Sequence, residues 1–275
     1  MKRYKITPEL KEEILFELKQ KANQLKHSPT RREIQKLAWR CRQYLGSFNK
    51  SKEMMGLEIN HKIITKFPRN AFRKDKEMAK IAAYLVSDGH IYKDLSAFFL
   101  SSKYLAPLKD FEEIIENKFG IKGKYKLNYT GTNKVTHIYI VFNTAICKEL
   151  VKLGIPNGEK VAKKFSIPSW IRKDKELTRE YLKILFFCEG SKYKHSKNKE
   201  IIKINFHKEE SRLADGVKFV DSIKKLLNAY FNIETSNIWI IKGNNKKDGT
   251  ITKQINLYVK STSVNKFINE IGWLK

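Results

Sequence analysis

Residues 75–275 repeat one order of predicted elements, and this internal repeat restricts the fold more than any other feature of the chain. Each half begins with an apolar helix that ends in an acid and a glycine, at Asp88-Gly89 and again at Glu189-Gly190. Two strands, a helix, two more strands and a last helix then follow. The repeat predicts an α+β domain of two αββαββα units. The predicted halves are 75–172 and 173–275. The helices predicted after the first pair of strands are 107–118 and 216–231, and those predicted at the end of each half are 145–153 and 264–271.

The predicted strands alternate apolar and polar residues, which indicates one buried face and one polar face. The polar faces are rich in Lys, Asn, Gln, Thr and Tyr and nearly lack acids, in both halves. Such side chains suit phosphates and base edges, although a solvent-facing sheet with a basic bias would show the same pattern. The predicted contacts with nucleic acid are Lys122, Lys124, Lys126, Asn128, His137, Tyr139, Lys203, Asn205, His207, Gln254, Asn256, Tyr258 and Lys260.

The charge balance also indicates a polyanionic partner. The chain of 275 residues carries 56 Lys and Arg against 29 Asp and Glu, a formal net charge of +27. No apolar run approaches the length of a membrane span, which favours nucleic acid over an anionic membrane surface. A generally lysine-rich proteome is the alternative. Cys41, Cys147 and Cys188 lie far apart, so we expect no zinc site or disulfide framework and a reduced, cytoplasmic setting.

Residues 1–60 are predicted to form a small helical module. Thr7-Pro8 begins one helix, and Thr30 with Glu33 resembles a capping box before another. Short helices with a tight turn are compatible with a helix-turn-helix type of DNA reader, and equally with a plain helical bundle. Residues 61–74 read as a basic linker that tracks phosphates or is simply solvated. The predicted contacts here are Arg31, Arg32, Arg40, Lys62, Lys66 and Arg69.

The two acid-glycine pairs are the candidate site. A glycine after a helix is an ordinary C-cap. A carboxylate at the same end is unfavourable by about 0.3–1 kcal/mol, because that end carries partial negative charge. Divalent cations would compensate it, and carboxylate oxygens favour Mg²⁺. Two such carboxylates side by side could hold metal ions against a phosphodiester and activate water.

Both nine-residue stretches, Ile81–Gly89 and Leu182–Gly190, resemble the LAGLIDADG motif of homing endonucleases. The connector Leu153–Gly158, followed by Ser166–Ile171, is similar to the link between halves in archaeal and intein-type members of that family. Residues 28–34 and 44–57 resemble a small helical repeat found attached to homing endonucleases. Ile184 departs from the motif, which has a small residue at this position where the two helices approach.

The resemblance implies a monomer with pseudo-twofold symmetry, in which paired motif helices lie under a β-saddle preceded by a helix-turn-helix-like domain. It implies cleavage of both strands of a long asymmetric double-stranded DNA site with Mg²⁺ or Mn²⁺, while Ca²⁺ would bind without turnover. Asp88 and Glu189 match the metal-binding acids, and the carbonyls of Ser87 and Cys188 match accessory ligands. Lys192 matches a basic catalytic position of some members, and Lys103, Lys148 and Lys266 are looser candidates for such positions. Each of these lysines is equally well explained as a phosphate contact.

A second function stays open on the same scaffold. A DNA- or RNA-binding protein without cleavage, such as a transcription regulator or an intron maturase, would share the repeat and the basic faces. Degenerate members of the family usually lose one or both acids. Because this chain keeps Asp88 and Glu189, the sequence favours the endonuclease.

Overall fold

The computed structural model describes residues 7–59, 66–130, 134–194, 200–245 and 249–274. The chain divides into two compact units, residues 1–66 and 67–275. Lys62, and the loop lysines Lys246 and Lys247 that would extend the predicted DNA contact, lie outside the described residues. In the described part of the chain, no helix is both long and apolar enough to cross a lipid bilayer.

The first unit contains α1 (Pro8–Leu25), α2 (Gln35–Leu45) and α3 (Phe48–Met54). The hydroxyl of Thr7 caps α1 by accepting a hydrogen bond from the Leu10 amide at 3.3 Å. Glu33 accepts from the Thr30 amide at 2.6 Å, which is half of the predicted capping box, but helix α2 begins only after it. The helices bury a small common core of Ile14, Leu18, Ile34, Leu37, Cys41 and Leu45.

The second unit has the predicted order of elements in both halves. The first half contains α4 (Lys76–Val86), β1 (Gly89–Ile91), β2 (Phe98–Ser102), α5 (Leu105–Phe119), β3 (Lys124–Thr130), β4 (Lys134–Val141) and α6 (Thr144–Lys152). After the short helix α7 (Ser169–Arg172), the second half contains α8 (Lys175–Glu189), β5 (Gly190–Lys194), β6 (Glu200–Glu209), α9 (Leu213–Phe231), β7 (Trp239–Asn245), β8 (Ile251–Val259) and α10 (Val264–Glu270).

Each half builds one antiparallel four-stranded sheet, and the two sheets share a topology. The strand orders are β1-β2-β4-β3 and β5-β6-β8-β7. One face of each sheet packs against helices, as shown by the buried side chains of Leu100 and Tyr139 in the first and of Ile204 and Leu257 in the second. The predicted α+β fold of two like sheets is therefore confirmed.

Helices α4 and α8 lie side by side at the centre of this unit. Each begins at an aspartate, Asp75 or Asp174, whose carboxylate accepts the amide of the third residue that follows. Lys76 and Glu176 join the two helix starts across a nitrogen–oxygen distance of 3.2 Å. Ile184 is only 2% exposed and belongs to the same core, so its size is accommodated in the packed helix pair.

Residues 67–74, predicted as part of a linker, pack on the second unit instead. Ala71 is 1% exposed, and the rings of Phe67 and Phe72 both contact that of Phe119 on α5. Aromatic burial of this kind is worth more than the solvation of a short basic segment, so the segment joins the core. Arg69 stays exposed within it.

Candidate functional site

The two acids predicted as metal ligands lie where the paired helices end. Helix α4 ends at Val86, and Asp88 follows after one more residue, with an exposed side chain. Glu189 is the last residue of α8 and is half-buried. The carbonyl of Asp88 accepts the amide of Ser101 at 3.3 Å, which ties the turn to strand β2.

The glycines after the acids are required by close approach, not by the left-handed cap that the sequence suggested. Gly190 has extended backbone angles, φ −87° and ψ 158°, and Gly89 is not among the residues with positive φ. A Cβ on Gly190 would stand 2.2 Å from the carbonyl oxygen of Phe186, and one on Gly89 would stand 2.8 Å from that of Tyr84. The chain turns from helix into strand so tightly that the helix end fills the space of a side chain.

A lysine from the connector lies at the end of α4. The ammonium of Lys160 donates hydrogen bonds to the carbonyl oxygens of Leu85 at 3.1 Å and Gly89 at 2.7 Å, and also to that of Ser87. An ammonium has three N–H donors, so these carbonyls use all of them. The buried carbonyls at this helix-to-strand turn are therefore bound by a cation of the chain itself.

Both candidate acids act on this ammonium. Burial lowers the pKa of Lys160 to about 8, and the negative charges of Glu189 and Asp88 oppose that change. From the sequence alone, a divalent cation is the expected compensation for the two acids. The structure shows that Lys160 supplies part of it, so the acids alone do not demand a metal ion.

A second buried lysine fixes the connector. Lys208, on β6, is 2% exposed and donates to the carbonyl oxygens of Lys160 and Lys163 at 2.5 Å each. Its ammonium also stands 4.1 Å from the centre of the Phe165 ring. Burial lowers the pKa of Lys208 to about 8. Lys208 thus holds the backbone of Lys160 from the second half, while Lys160 holds the end of α4 in the first.

An open pocket of about 970 Å³ connects one acid to a predicted catalytic lysine. Asp88 and Lys103 both line it, together with Phe187 and Cys188 from the end of α8. The other predicted lysine, Lys192, is on β5 and pairs with Glu200 at 3.2 Å. Lys103 therefore shares a cavity with an acid, whereas Lys192 has a carboxylate partner of its own.

The open faces of the sheets carry most of the predicted DNA contacts. Residues opposite one another on paired strands share a face. Lys124 and Lys126 pair with Ile140 and Ile138, away from the buried side, and Asn128 follows in the same phase. In the second sheet the open face carries Lys203, Asn205, His207, Gln254, Asn256 and Tyr258.

One prediction on strand β4 is wrong. Tyr139 is fully buried beside Phe111, and its hydroxyl accepts the amide of Gly123 at 2.6 Å. His137, two residues earlier, is half-buried and pairs with the exposed Leu127, so its DNA contact stays a prediction. The pairing of β4 with the buried residues of β2 decides this phase.

Several other predicted contacts already have partners within the chain. Arg40 binds both Glu13 and Glu17 of α1, at 2.6 and 2.5 Å. Lys122, which precedes β3, pairs with Glu116 on α5 at 3.3 Å, and Lys260 pairs with Glu234 at 2.8 Å. Asn256 is 2% exposed and accepts from the amide of Gln254 at 2.7 Å. Arg31, Arg32 and Lys66 are exposed, as predicted for contacts with a polyanion.

Sequence reasoning missed Lys160, Lys208 and His90. Lys208 carried a signal, because it continues the buried phase of Ile202, Ile204 and Phe206 along β6. His90, two residues after Asp88, stacks with Tyr92 and Phe99, and burial followed by the charge of Lys160 lowers its pKa. Lys160 had no local signal, since its partners lie more than 70 residues away.

The donor set was compared with the needs of a metal ion. Among the described residues, no group of three or more His, Cys, Asp or Glu side chains is arranged to hold one. Two carboxylates and the carbonyls of Ser87 and Cys188 would instead provide four oxygen donors. Oxygen donors of this kind fit Mg²⁺ better than zinc or copper.

Comparison with known proteins gives distant likenesses. The chain matches no protein-family model. It is 26% identical over 220 residues to the DNA-directed RNA polymerase subunit Rpo1N of Methanocaldococcus jannaschii, a match that covers 73% of this chain and 16% of that protein. The chain therefore spans about one sixth of the length of this curated relative.

Solved structures with a similar arrangement include two homing endonucleases. I-WcaI bound to its DNA recognition sequence has a TM-score of 0.49 at 16% identity, over 80% of this chain and 91% of that one. Full-length DUF199/WhiA from Thermatoga maritima has a TM-score of 0.47 at 15% identity, over 75% of this chain and 60% of that one. Mesophilic variants of I-DmoI have a TM-score of 0.45 at 13% identity, over 74% of this chain and 91% of that one. Such TM-scores say nothing about activity, which has to be argued from this chain's own residues.

Proposed function

We propose that the second unit is a site-specific endonuclease that hydrolyses both strands of double-stranded DNA with a divalent cation held by Asp88 and Glu189. One observation carries the proposal: two helices end side by side in acids whose charges act on one ammonium, between two sheets with basic open faces. Mutual repulsion makes such a pair of acids unfavourable unless cations share the site.

In this proposal the residues have separate roles. Asp88 and Glu189 bind Mg²⁺ or Mn²⁺, with the carbonyls of Ser87 and Cys188 as further ligands. The bound cation would polarise a phosphodiester and lower the pKa of a water molecule. Lys103, in the pocket of Asp88, neutralises charge on the phosphate. The sheets bind the flanking duplex through phosphates and base edges.

Finer features belong to the same proposal. The chain acts as a monomer on a long asymmetric site, because the two halves present different polar side chains along their sheets. The helical first unit extends the contact through Arg31 and Arg32. The proposal also includes a cytoplasmic setting and a metal site that Ca²⁺ occupies without turnover.

The decisive experiment is cleavage of a random-site plasmid library by the full chain, with Mg²⁺ or with EDTA. We expect double-strand ends that cluster at one sequence in Mg²⁺ and vanish in EDTA. Sequencing of the ends would give the target site. A chain that binds one selected site tightly and leaves it intact at every metal concentration would contradict the endonuclease.

That contrary result would favour the second function, a DNA-binding protein without cleavage. The Ser87 carbonyl already has a cation partner in Lys160, and this observation is the one that favours the second function. The same selected site then serves as the ligand for binding measurements.

The sheet faces make a separate prediction about DNA binding. Lys124→Ala should weaken affinity and reduce the slope of log K against log salt by about 0.9, because one phosphate contact is lost. Lys122→Ala, two residues away, is the matched control, since Lys122 lies before β3 and already pairs with Glu116 of α5. Fluorescence anisotropy across a salt series measures both variants. Equal slopes for the two would contradict the assignment of the open face.

A further inference from the structure

The end of helix α4 forms a cage of oxygen atoms around an ammonium. Three backbone carbonyls, of Leu85, Ser87 and Gly89, converge on the nitrogen of Lys160. Backbone carbonyls are also ligands of hard cations. The carbonyl of Ser87 is the one that the proposed metal site would use, so the ammonium holds an oxygen that a divalent cation needs.

The charges around the cage suit a cation. The negative charges of Glu189 and Asp88 stabilise the ammonium, and the charge of the ammonium acts in turn on His90, which Glu159 also influences, and on Lys208. Because like charges repel strongly in a partly buried site, an ammonium here opposes a divalent cation at the same acids. The Lys160 ammonium and a divalent cation can occupy this site together only if the lysine moves or gives up its hydrogen bonds.

Hydrogen bonds of the connector backbone hold Lys160 on both sides. Lys208 fixes its backbone carbonyl, and the amide of Glu209 bonds the next carbonyl, that of Val161, at 3.2 Å. The amide of Gly158 bonds the carbonyl of Ile91 at 2.8 Å. The connector is therefore attached to β1 on one side and to β6 on the other, with Lys160 between the attachments.

We propose that Lys160 is a resident cation of the acid pair, which competes with divalent cations for the Ser87 carbonyl and for the charge of Asp88 and Glu189. Lys160 is then a positioning residue that keeps metal affinity low in the DNA-free protein. This inference rests on the proposed function, because it takes the acids to be metal ligands. The phosphate of bound DNA would draw the metal ion in against this competition.

The test is Mn²⁺ binding to the full chain without DNA, by isothermal titration calorimetry. Lys160→Gln keeps an amide donor for the carbonyls and removes the charge. We expect it to bind Mn²⁺ at least about tenfold more tightly than the wild type. Adding Asp88→Asn to it should abolish the gain. Lys160→Arg, which restores a positive charge, should bind as weakly as the wild type.

Lys163→Gln is the matched control in the same connector. Its ammonium bonds Asn157, at 2.9 Å to the carbonyl and 2.6 Å to the side chain, and we expect unchanged Mn²⁺ affinity. Equal or weaker binding by Lys160→Gln would overturn the inference. If that variant does not fold, Lys160→Met, an unbranched side chain of similar length, takes its place, and failure of both to fold would make Lys160 a structural cap and overturn the inference.

These outcomes are independent of DNA cleavage. A wild-type chain that cuts DNA, with no gain in Lys160→Gln, removes the inference and leaves the proposed function. A chain that never cuts, but gains Mn²⁺ affinity in Lys160→Gln, removes the endonuclease and leaves the competition. Absence of Mn²⁺ binding in every variant removes the acids as metal ligands and the inference with them.

Discussion

Asp88→Asn is expected to lower the single-turnover rate of DNA cleavage at least about a thousandfold, which corresponds to about 4 kcal/mol of transition-state stabilisation. The substitution keeps the size of the side chain and removes the charge that would bind the metal ion. Asp88 is exposed at the turn, so the variant should still fold. The affinity for DNA in Ca²⁺ or EDTA should stay within about threefold, because phosphate contacts on the sheets dominate it.

Asp94→Asn is the control for this measurement. Asp94 is in the turn between β1 and β2, where its carboxylate accepts from the hydroxyl of Ser96 at 2.7 Å. It lies six residues from Asp88 and outside the described pocket. We expect it to cut like the wild type. Near-normal cutting by Asp88→Asn, or loss of DNA binding in parallel with cutting, would show that Asp88 is not a metal ligand. Glu189→Gln should repeat the result for the second acid.

Gly190→Ala is expected to destabilise the protein by about 3 kcal/mol, in the range of overpacked cores, and to lower its thermal midpoint by roughly 6–12 °C. The new Cβ would stand 2.2 Å from the Phe186 carbonyl oxygen, and backbone on both sides cannot yield as a flexible side chain could. The strain falls directly beside Glu189. We therefore expect cleavage to drop even at temperatures where the variant is folded.

Ser191→Ala, one residue further, gives the comparison. The buried hydroxyl of Ser191 meets no hydrogen-bond partner within the described part of the chain, so its removal should be neutral or slightly stabilising. The loss of stability in Gly89→Ala should fall between those of the other two variants, because its new Cβ would stand 2.8 Å from the nearest backbone atoms. Thermal unfolding followed by circular dichroism ranks the three. A Gly190→Ala midpoint equal to that of Ser191→Ala would show that the turn relaxes without strain.

The repeat and the phases of most strands could be predicted because they depend on local periodicity. Strand β6 alternates from Ile202 to Phe206, and the polar residues between these positions are on the open face. Strand β4 is different, since Val135, Tyr139 and Val141 on one side and Ile138 and Ile140 on the other make both faces apolar. Only the pairing with Phe98 and Leu100 decides which side is buried, and pairing is not a local property.

The centre of the site was only half predictable for a similar reason. The acids follow apolar helices with a visible pattern, so their positions could be inferred. Lys160 is in a connector without periodicity, and its contacts join it to Leu85 and Gly89, 75 and 71 residues away in the chain. A single sequence does not reveal which lysine will enter a helix end at that distance.

The two connector lysines have a consequence for exchanging parts of this protein. The ammonium groups of Lys160 and Lys208 donate to backbone carbonyls in all five of the hydrogen bonds described for them. A carbonyl is present whatever the side chain, so the attachment survives sequence drift in the segments that receive it. A foreign first half grafted onto this protein therefore needs the same backbone shape at the end of its helix, but not the same sequence. Residues 158–163 must stay with the second half in such a graft.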